Sequence, residues 1–179
     1  MEWTRATFEA QQFVGWTTFS DLAHAEVPRE RGVYVVMTEP SDVTPAFLPE
    51  SVGGQHKGSP LTVPVPALEA AWQPNAEVLY IGKANGARWL YDRLWSYTRQ
   101  GHGHSAGHFG GRYLWQWPGS EQLIVGWRTT GELDPHDVED ALLSLHIAKY
   151  GARPFANMKD GYRFTPSGAR ELLRNWWST

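Results

Sequence analysis

Two short apolar runs, each with a tyrosine inside it, constrain the fold of this chain more than any other feature. The first run covers residues 32–38 (GVYVVMT) and the second covers residues 78–82 (VLYIG). Both are rich in β-branched and aromatic residues, which favour strands. Because strands of one small sheet hold their side chains rigidly, the pattern predicts that the phenols of Tyr34 and Tyr80 point toward one place.

Periodicity and capping residues predict the remaining elements. Residues 122–129 (QLIVGWRT) form a third strand-like run. Residues 85–100 have apolar positions at helical spacing, with Asn85 as a cap and Gly101 as a stop, and a last helix is predicted over 166–177. We therefore expect an α+β fold, with a small three-stranded, mainly antiparallel sheet flanked by helices.

A further helix is predicted to begin at Asp134-Pro135 and to end at Gly151. Leu142, Leu145 and Ala148 recur at helical spacing and predict one apolar stripe. Glu139 lies outside this stripe, so its side chain is expected to be exposed. Asp140 is predicted to point about 100 degrees away from Glu139, which argues against a site with paired carboxylates.

Length and composition favour one cytoplasmic domain. A chain of 179 residues is large enough to bury about 70% of its unfolded surface. Without cysteines, it has neither disulfides nor cysteine-ligated metal sites. The sequence shows no apolar run of membrane-spanning length and no leader-like amino terminus, so no membrane association is expected. The range 1–179 is treated as a single domain, with 166–179 as a tail helix.

Residues 40–76, between the first two predicted strands, are rich in proline and glycine. This composition discourages helix and central strand, so we expect an irregular insertion that leaves the sheet and returns to it. Long irregular connections are uncommon in compact domains and are often functional. The insertion is predicted to contact a substrate, cover a site or bind a partner, and the sequence does not choose among these.

The charge of the chain is locally uneven. A formal net charge of −3 and a pI near 6.1 argue against nonspecific coating of nucleic acid. Between residues 83 and 112, however, five cations face one carboxylate, Asp92, which suits a local phosphate site or a solvated helix face. The cations are Lys83, Arg88, Arg93, Arg99 and Arg112.

The order of several polar residues around the two triplets resembles the GIY-YIG nuclease family, especially its excision-repair branch. The resemblance covers residues from about 28 to 157, although the first triplet reads GVY and the connection to the second is unusually long. The matching residues are Tyr34, Tyr80, Lys83, Arg93, Tyr97, Glu139 and Asn157.

The resemblance implies a metal-dependent endonuclease that hydrolyses DNA phosphodiesters. It assigns Glu139 as the ligand of one Mg²⁺ or Mn²⁺ ion, a cation that needs few carboxylates because water and substrate supply its other ligands. Arg93 is expected to hold the non-bridging phosphate oxygens with its planar fork of donors. Tyr34 is expected to activate or position the attacking water, with support from Tyr80.

Other residues have supporting roles in this interpretation. Lys83 is expected to lower the pKa of a phenol or hold the phosphate, and Tyr97 occupies a position where many family members have histidine. Asn157 is expected to bind substrate or to stabilise the site through backbone contacts. Arg88 and Arg99 complete the predicted substrate contacts.

Simpler structural roles remain open for the same residues. Tyrosines in strands are usually part of the core, and a phenol with a pKa near 10 is a poor base at neutral pH. Lys83 is equally compatible with an exposed strand end. Gly32 and Gly82 either end strands or let the backbone approach DNA.

Two further clusters stand out. His102, His104 and His108 in the glycine-rich stretch 101–111 are compatible with a solvent loop, a phosphate-contacting loop or a transition-metal site. Among the ten tryptophans, some are predicted to pack the sheet and two to form a partner surface at the last helix. The sheet set is Trp115, Trp117 and Trp127, and the partner set is Trp176 and Trp177.

Two functions follow from the sequence. The first is a GIY-YIG-type endonuclease acting on DNA, with RNA as an open alternative substrate. The second is a non-catalytic module of the same fold that binds nucleic acid or a protein. Retained site residues favour the enzyme, whereas the acidic charge favours the binding module.

Overall fold

The structure is a computed structural model that describes residues 2–86, 89–105 and 111–178, so Arg88 and His108 lie outside the described residues. Along these ranges the fold is α+β. Short 3-10 helices occur at Leu22–His24, Arg112–Gln116 and Ser120–Gln122. The helices and strands are α1 (Arg5–Ala10), β1 (Val14–Thr18), β2 (Gly32–Met37), α2 (Val65–Ala71), β3 (Val78–Ala84), α3 (Leu90–Gly101), β4 (Ile124–Thr129), α4 (Pro135–Tyr150) and α5 (Pro166–Trp177).

The helices flank one antiparallel sheet with the strand order β1-β4-β2-β3. The three strands predicted from the sequence are confirmed as β2, β3 and β4. The prediction of a three-stranded sheet is wrong, because β1 pairs with β4 as a fourth strand.

Strand β1 lacks a sequence signal because it is irregular. Its register with β4 shifts between Val14 and Thr17, and both Gly15 and Trp16 have positive φ angles, of 96° and 30°. Such a bulge breaks the two-residue alternation by which strands are recognised. Gly15 is required here, since a Cβ at this position would collide with the indole ring of Trp127.

The register of the sheet brings the two tyrosines to one face. Tyr34 in the central strand β2 lies opposite Gly82 of β3 and opposite Trp127 of β4. Tyr80 lies two residues before Gly82, so its side chain projects on the same face. A Cβ on Gly82 would lie 2.5 Å from the Tyr34 hydroxyl. Gly82 therefore serves internal packing, because the Tyr34 ring needs the space.

Buried side chains form one core on each face of the sheet. The tyrosine face packs against α3, the 3-10 turn Arg112–Gln116 and parts of the segment before β3. The opposite face, with Val33, Val35 and Ile81, packs against α1, α4 and α5. Strand β2 is buried along its whole length, since both of its faces are covered.

Helix α3 begins at Leu90, so the predicted start at Asn85 is wrong. Asp92 Oδ2 accepts the backbone N–H of Trp89, at the N-cap, at 3.4 Å. Leu90 packs on Gly32, where an added Cβ would lie 2.6 Å from the leucine Cδ1. Gly32 is thus a packing position for α3.

The predicted ends of α4 are confirmed. Asp134 caps the helix by accepting the His136 backbone N–H at 2.9 Å, and Gly151 ends it in the left-handed conformation. Pro135 occupies the first turn, where its missing N–H leaves no bond unmade.

The predicted apolar stripe of α4 is only partly correct. Leu142 and Leu145 are buried, whereas Ala148 is exposed. The middle of α4 is covered on several sides because the sheet and α5 both pack against it, and even Asp140 is only 3% exposed. Its carboxylate accepts the backbone N–H groups of Tyr162 and Arg163 at 3.1 and 2.6 Å.

The segment between β2 and β3 is mainly irregular but contains α2, although its composition discourages a helix. Pro66 is tolerated because it lies in the first turn.

A fully buried glutamine, Gln116, fixes the backbone of the irregular part of this segment through hydrogen bonds. Its side chain accepts the Val63 N–H at 2.7 Å and donates to the carbonyls of Leu48 and Val63 at 2.9 and 3.0 Å.

Helix α5 covers the range predicted for the last helix, but it packs in the core. Trp176 is 3% exposed, so its predicted role in a partner surface is wrong, and Trp177 is half-buried. The buried Arg128 of β4 donates to the Gln11 carbonyl at 3.0 Å and to the Trp176 carbonyl at 2.9 Å. One cation thus compensates the carbonyl ends of α1 and α5.

The predicted sheet-packing tryptophans, Trp115, Trp117 and Trp127, are all buried. Across the described ranges, no helix combines the length and apolar character that crossing a bilayer requires.

Candidate functional site

Three tyrosines from three elements meet on one face of the sheet. Tyr34 comes from β2, Tyr80 from β3 and Tyr97 from α3. Their ring centroids lie 6.0 Å apart for Tyr34 and Tyr80, 6.2 Å for Tyr34 and Tyr97, and 6.0 Å for Tyr80 and Tyr97. Tyr34 and Tyr97 are fully buried and Tyr80 is 5% exposed. The phenols therefore lie beneath the surface.

Arg93 lies one helical turn before Tyr97 and is half-buried beside this cluster. Its guanidinium opposes the rise that burial causes in the pKa of Tyr34. Two buried polar atoms here, Arg93 Nε and Tyr34 Oη, form no hydrogen bond of regular geometry within the described residues, although the guanidinium lies close enough to the hydroxyl to interact with it. Both groups therefore keep hydrogen-bonding capacity that a further molecule could use.

Lys83 and Glu139 form an ion pair that joins β3 to α4. Lys83 lies opposite Val33 in the sheet register, so it projects toward the α4 layer, away from the tyrosine face. The Glu139 side chain is only 14% exposed. The expectation that Glu139 is exposed is wrong, because the first turns of α4 lie against β3 and Lys83 shields the carboxylate.

The ion pair and the tyrosine cluster nevertheless share one electrostatic environment. The charge of Glu139 contributes to the raised pKa of Tyr34 and of Tyr80. In return, Arg93 is among the cations that oppose the rise in the Glu139 pKa. The ion pair and the tyrosine cluster therefore lie on opposite faces of the sheet at neighbouring positions of β3, Lys83 and Gly82, and their charges influence one another across it.

Burial dominates the titration of these groups. It raises the pKa of Tyr34 above its usual value, and it raises those of Tyr80 and Tyr97 well above theirs. Burial also raises the pKa of Glu139, against the opposing effect of Lys83. The three phenols are consequently neutral near neutral pH, so each keeps its hydroxyl proton.

Asn157 is buried and bonded to the edge strand β3 through its side chain. The neighbouring Ala156 N–H also donates to the Leu79 carbonyl at 2.8 Å. The segment around Asn157 thus pairs with an edge that would otherwise be open. Of the two roles predicted for Asn157, these contacts correspond to stabilisation of the site, since both halves of the amide are engaged.

The remaining predicted residues lie apart from this centre. Arg99, His102 and His104 are exposed around the end of α3. Arg88 and His108, predicted as a substrate contact and a cluster member, lie outside the described residues. Within the described ranges, no three histidine or acidic side chains come together as a chelating group.

Sequence reasoning missed Gly111, which covers the tyrosine cluster. Gly111 has a φ of 72°, and a Cβ at this position would overlap the Tyr97 hydroxyl. The backbone of Gly111 therefore closes the cluster on the side of Tyr97. The glycine pair at the end of the 101–111 stretch could have indicated this contact, because glycine tolerates both a positive φ and a close approach of other atoms.

Comparison with family models, with curated proteins and with solved structures finds no match to this chain. Function is therefore inferred from the side chains of the site and from the sheet that holds them.

Proposed function

We propose that this chain is a metal-dependent endonuclease of the GIY-YIG type that hydrolyses phosphodiester bonds in DNA. One observation carries the proposal: the Arg93 guanidinium acts on the Tyr34 hydroxyl, and the register position next to the Tyr34–Gly82 pair is Lys83, which holds the Glu139 carboxylate. The set offers cations, a carboxylate and a hydroxyl around neighbouring positions of β2 and β3. These groups suit a reaction in which negative charge develops on phosphate oxygens.

Arg93 is the proposed phosphate-binding residue. Its guanidinium is half-buried and lies beside the neutral ring cluster, so its charge is less screened than that of an exposed arginine. The stacked rings of Tyr80 and Tyr97 support the helix turn from which Arg93 projects. Rigid placement matters because charge stabilisation depends on donors that are already oriented.

Glu139 is the proposed ligand of one Mg²⁺ or Mn²⁺ ion. Its carboxylate fits such a site, because it is partly accessible to solvent and an Mg²⁺ ion needs no second carboxylate. When bound, the cation would neutralise charge on the phosphate and make a water molecule more acidic. Lys83 has to release the Glu139 carboxylate for this binding, and its ammonium then becomes available to a phosphate oxygen.

Tyr34 is proposed to orient the attacking water through its hydroxyl. Because burial raises its pKa, the phenol acts as a neutral donor and acceptor. Tyr80 and Tyr97 hold the Tyr34 ring from two sides. In this arrangement Tyr80 and Tyr97 are positioning residues, and only the Tyr34 hydroxyl is directed at the reacting atoms.

A second candidate, a non-catalytic module of the same fold, is favoured by a different observation. All three phenols are buried with raised pKa values, and Glu139 is already paired with Lys83. A purely structural cluster would have these properties. This module would bind nucleic acid or a protein without cutting it.

Nicking of supercoiled plasmid in Mg²⁺ or Mn²⁺ separates the two candidates. We expect the wild type to nick the plasmid, and Glu139→Ala and Arg93→Ala to lose about 100-fold or more of the rate. Glu171→Ala and Arg170→Ala, at exposed positions of α5, are matched controls that should retain activity. If the folded wild type and both site variants leave the plasmid equally intact with either ion, the endonuclease proposal fails.

A further inference from the structure

The outer side of α3 carries a pair of aromatic rings, of which Trp95 is exposed and Tyr91 is half-buried. Tyr91 and Trp95 are one turn apart, with nearly parallel rings at a centroid distance of 6.5 Å and an interplanar angle of 9°. Trp95 is 42% exposed, and Trp89 at the start of the helix is 41% exposed. Large apolar rings grouped at the surface commonly mark a contact with another molecule.

Cations flank these rings along the helix. The guanidinium carbon of Arg29 lies 4.2 Å from the centroid of the Tyr91 ring. Arg99, which is exposed, lies one turn beyond Trp95. A turn of helix advances about 5.4 Å. The outer face of α3 thus presents, in order, a cation, two stacked rings and a second cation.

This order matches the chemistry of an unpaired nucleic-acid strand. Bases stack on aromatic faces regardless of sequence, and arginines beside the rings meet the phosphates. An amphipathic helix from a protein partner would instead need an apolar groove. The carboxylate of Asp92 lies 3.8 Å from Arg29 and weakens the positive field at one end of the stack.

Arg93 lies on the same helix, two residues from Tyr91 and two from Trp95, so it projects from nearly the opposite side. A strand on the outer face reaches Arg93 by passing over the first turn of α3, where Trp89 is exposed. The rings and the proposed phosphate site thus lie on different sides of one helix, and a strand bound to both wraps around the start of α3.

We infer that the outer face of α3 binds unpaired nucleotides by stacking a base on Trp95, with Arg29 and Arg99 contacting the adjoining phosphates. The inference rests on the proposed function and defines its substrate class as nucleic acid with a single-stranded segment beside the scissile bond. Ordinary blunt duplex lacks the open base faces that this stack requires.

Fluorescence anisotropy in EDTA tests the inference without cleavage. The probes are a labelled oligo-dT of about ten nucleotides and a blunt duplex of similar length. We expect the wild type to prefer the single strand and Trp95→Ala to weaken that binding roughly 5- to 100-fold, with little change on duplex. Asp92→Asn should tighten it. Tyr162→Ala, which removes a ring that is 76% exposed elsewhere, is the matched control.

Equal single-strand binding by Trp95→Ala and Tyr162→Ala would overturn the inference and leave the rings as a surface for another class of partner. The plasmid assay reports on catalysis separately. If the wild type nicks plasmid but its single-strand binding does not depend on Trp95, the stacking site is wrong and the endonuclease proposal stands. If single-strand binding depends on Trp95 but the protein does not nick plasmid, the endonuclease proposal is wrong and the stacking site stands.

Discussion

Asn157 bonds to Ile81 through both halves of its side-chain amide. The Ile81 N–H donates to Asn157 Oδ1 at 2.9 Å, and Asn157 Nδ2 donates to the Ile81 carbonyl at 2.8 Å. Ile81 lies between Tyr80 and Gly82, so the contact fixes the edge strand at the point where it presents Tyr80 on one face and Lys83 on the other. A loop late in the chain therefore determines the position of the tyrosine strand.

Asn157→Ala should lower the free energy of unfolding by about 2–4 kcal/mol, because it leaves a buried N–H and a buried carbonyl unpaired. Urea denaturation measures the change. Asn175→Ala, at an exposed position of α5, is the control and should change stability by less than about 0.5 kcal/mol. A similar small loss for Asn157→Ala would show that water replaces the amide without penalty.

Gly82→Ala and Gly168→Ala should have opposite effects. At Gly82 the new methyl would lie 2.5 Å from the Tyr34 hydroxyl, so the ring has to move and stability falls by about 1–3 kcal/mol. At Gly168, within α5, the nearest atoms lie at 3.5 and 3.8 Å, and alanine should add about 0.5–1 kcal/mol. Thermal and urea unfolding of both variants test the pair. Equal effects at the two positions would contradict the packing seen over Gly82.

Lys83→Met should raise the pKa of Glu139 further. Burial already raises this pKa, and Lys83 is the largest influence that opposes the rise. Without the ammonium, the carboxyl stays protonated to a higher pH, so activity that depends on a bound cation should shift toward higher pH. NMR titration of the Glu139 carboxyl carbon measures the effect. Lys149→Met, which removes an exposed lysine paired with Glu2, should leave the titration unchanged.

His146 should make the fold sensitive to acid. Burial lowers the pKa of His146 to about 4, whereas an unfolded histidine titrates near pH 6.5. Between these values the unfolded chain binds a proton that the folded chain does not. Stability therefore falls as the pH falls through this window, by about 3 kcal/mol in total.

Urea denaturation at about pH 7 and about pH 5 measures this dependence. His146→Gln should flatten the slope between these conditions, and His24→Gln, at an exposed position, should leave it unchanged. An equally steep slope in His146→Gln would assign the acid sensitivity to other groups.

The parts of the fold that were predictable depend on local chemistry. Strands β2, β3 and β4 were visible as β-branched and aromatic runs. The ends of α4 were visible because Asp134, Pro135 and Gly151 each suit one position of a helix terminus. The sequence also predicted that Tyr34 and Tyr80 lie close together, and the structure pairs their strands directly.

The parts that were missed depend on distant contacts. The bulge that shapes β1 is explained only by the Trp127 ring above Gly15. The burial of Glu139 follows from its pairing with Lys83 across two elements, which no helical periodicity encodes. Likewise, the raised pKa of Tyr97 results from its burial among the other tyrosines, which the match to the family's histidine position did not predict.

Arg128 makes the completion of strand β4 depend on the docking of the last helix. Its guanidinium is satisfied only when the carbonyls of Gln11 and Trp176 are both in place, near opposite ends of the chain. Until α5 docks, the middle of the sheet holds a cation for which the earlier segments supply one of the two acceptors. We expect the β4 region to reach its native rigidity late in folding, and a nascent chain that lacks the last helix to remain open to proteases at this strand.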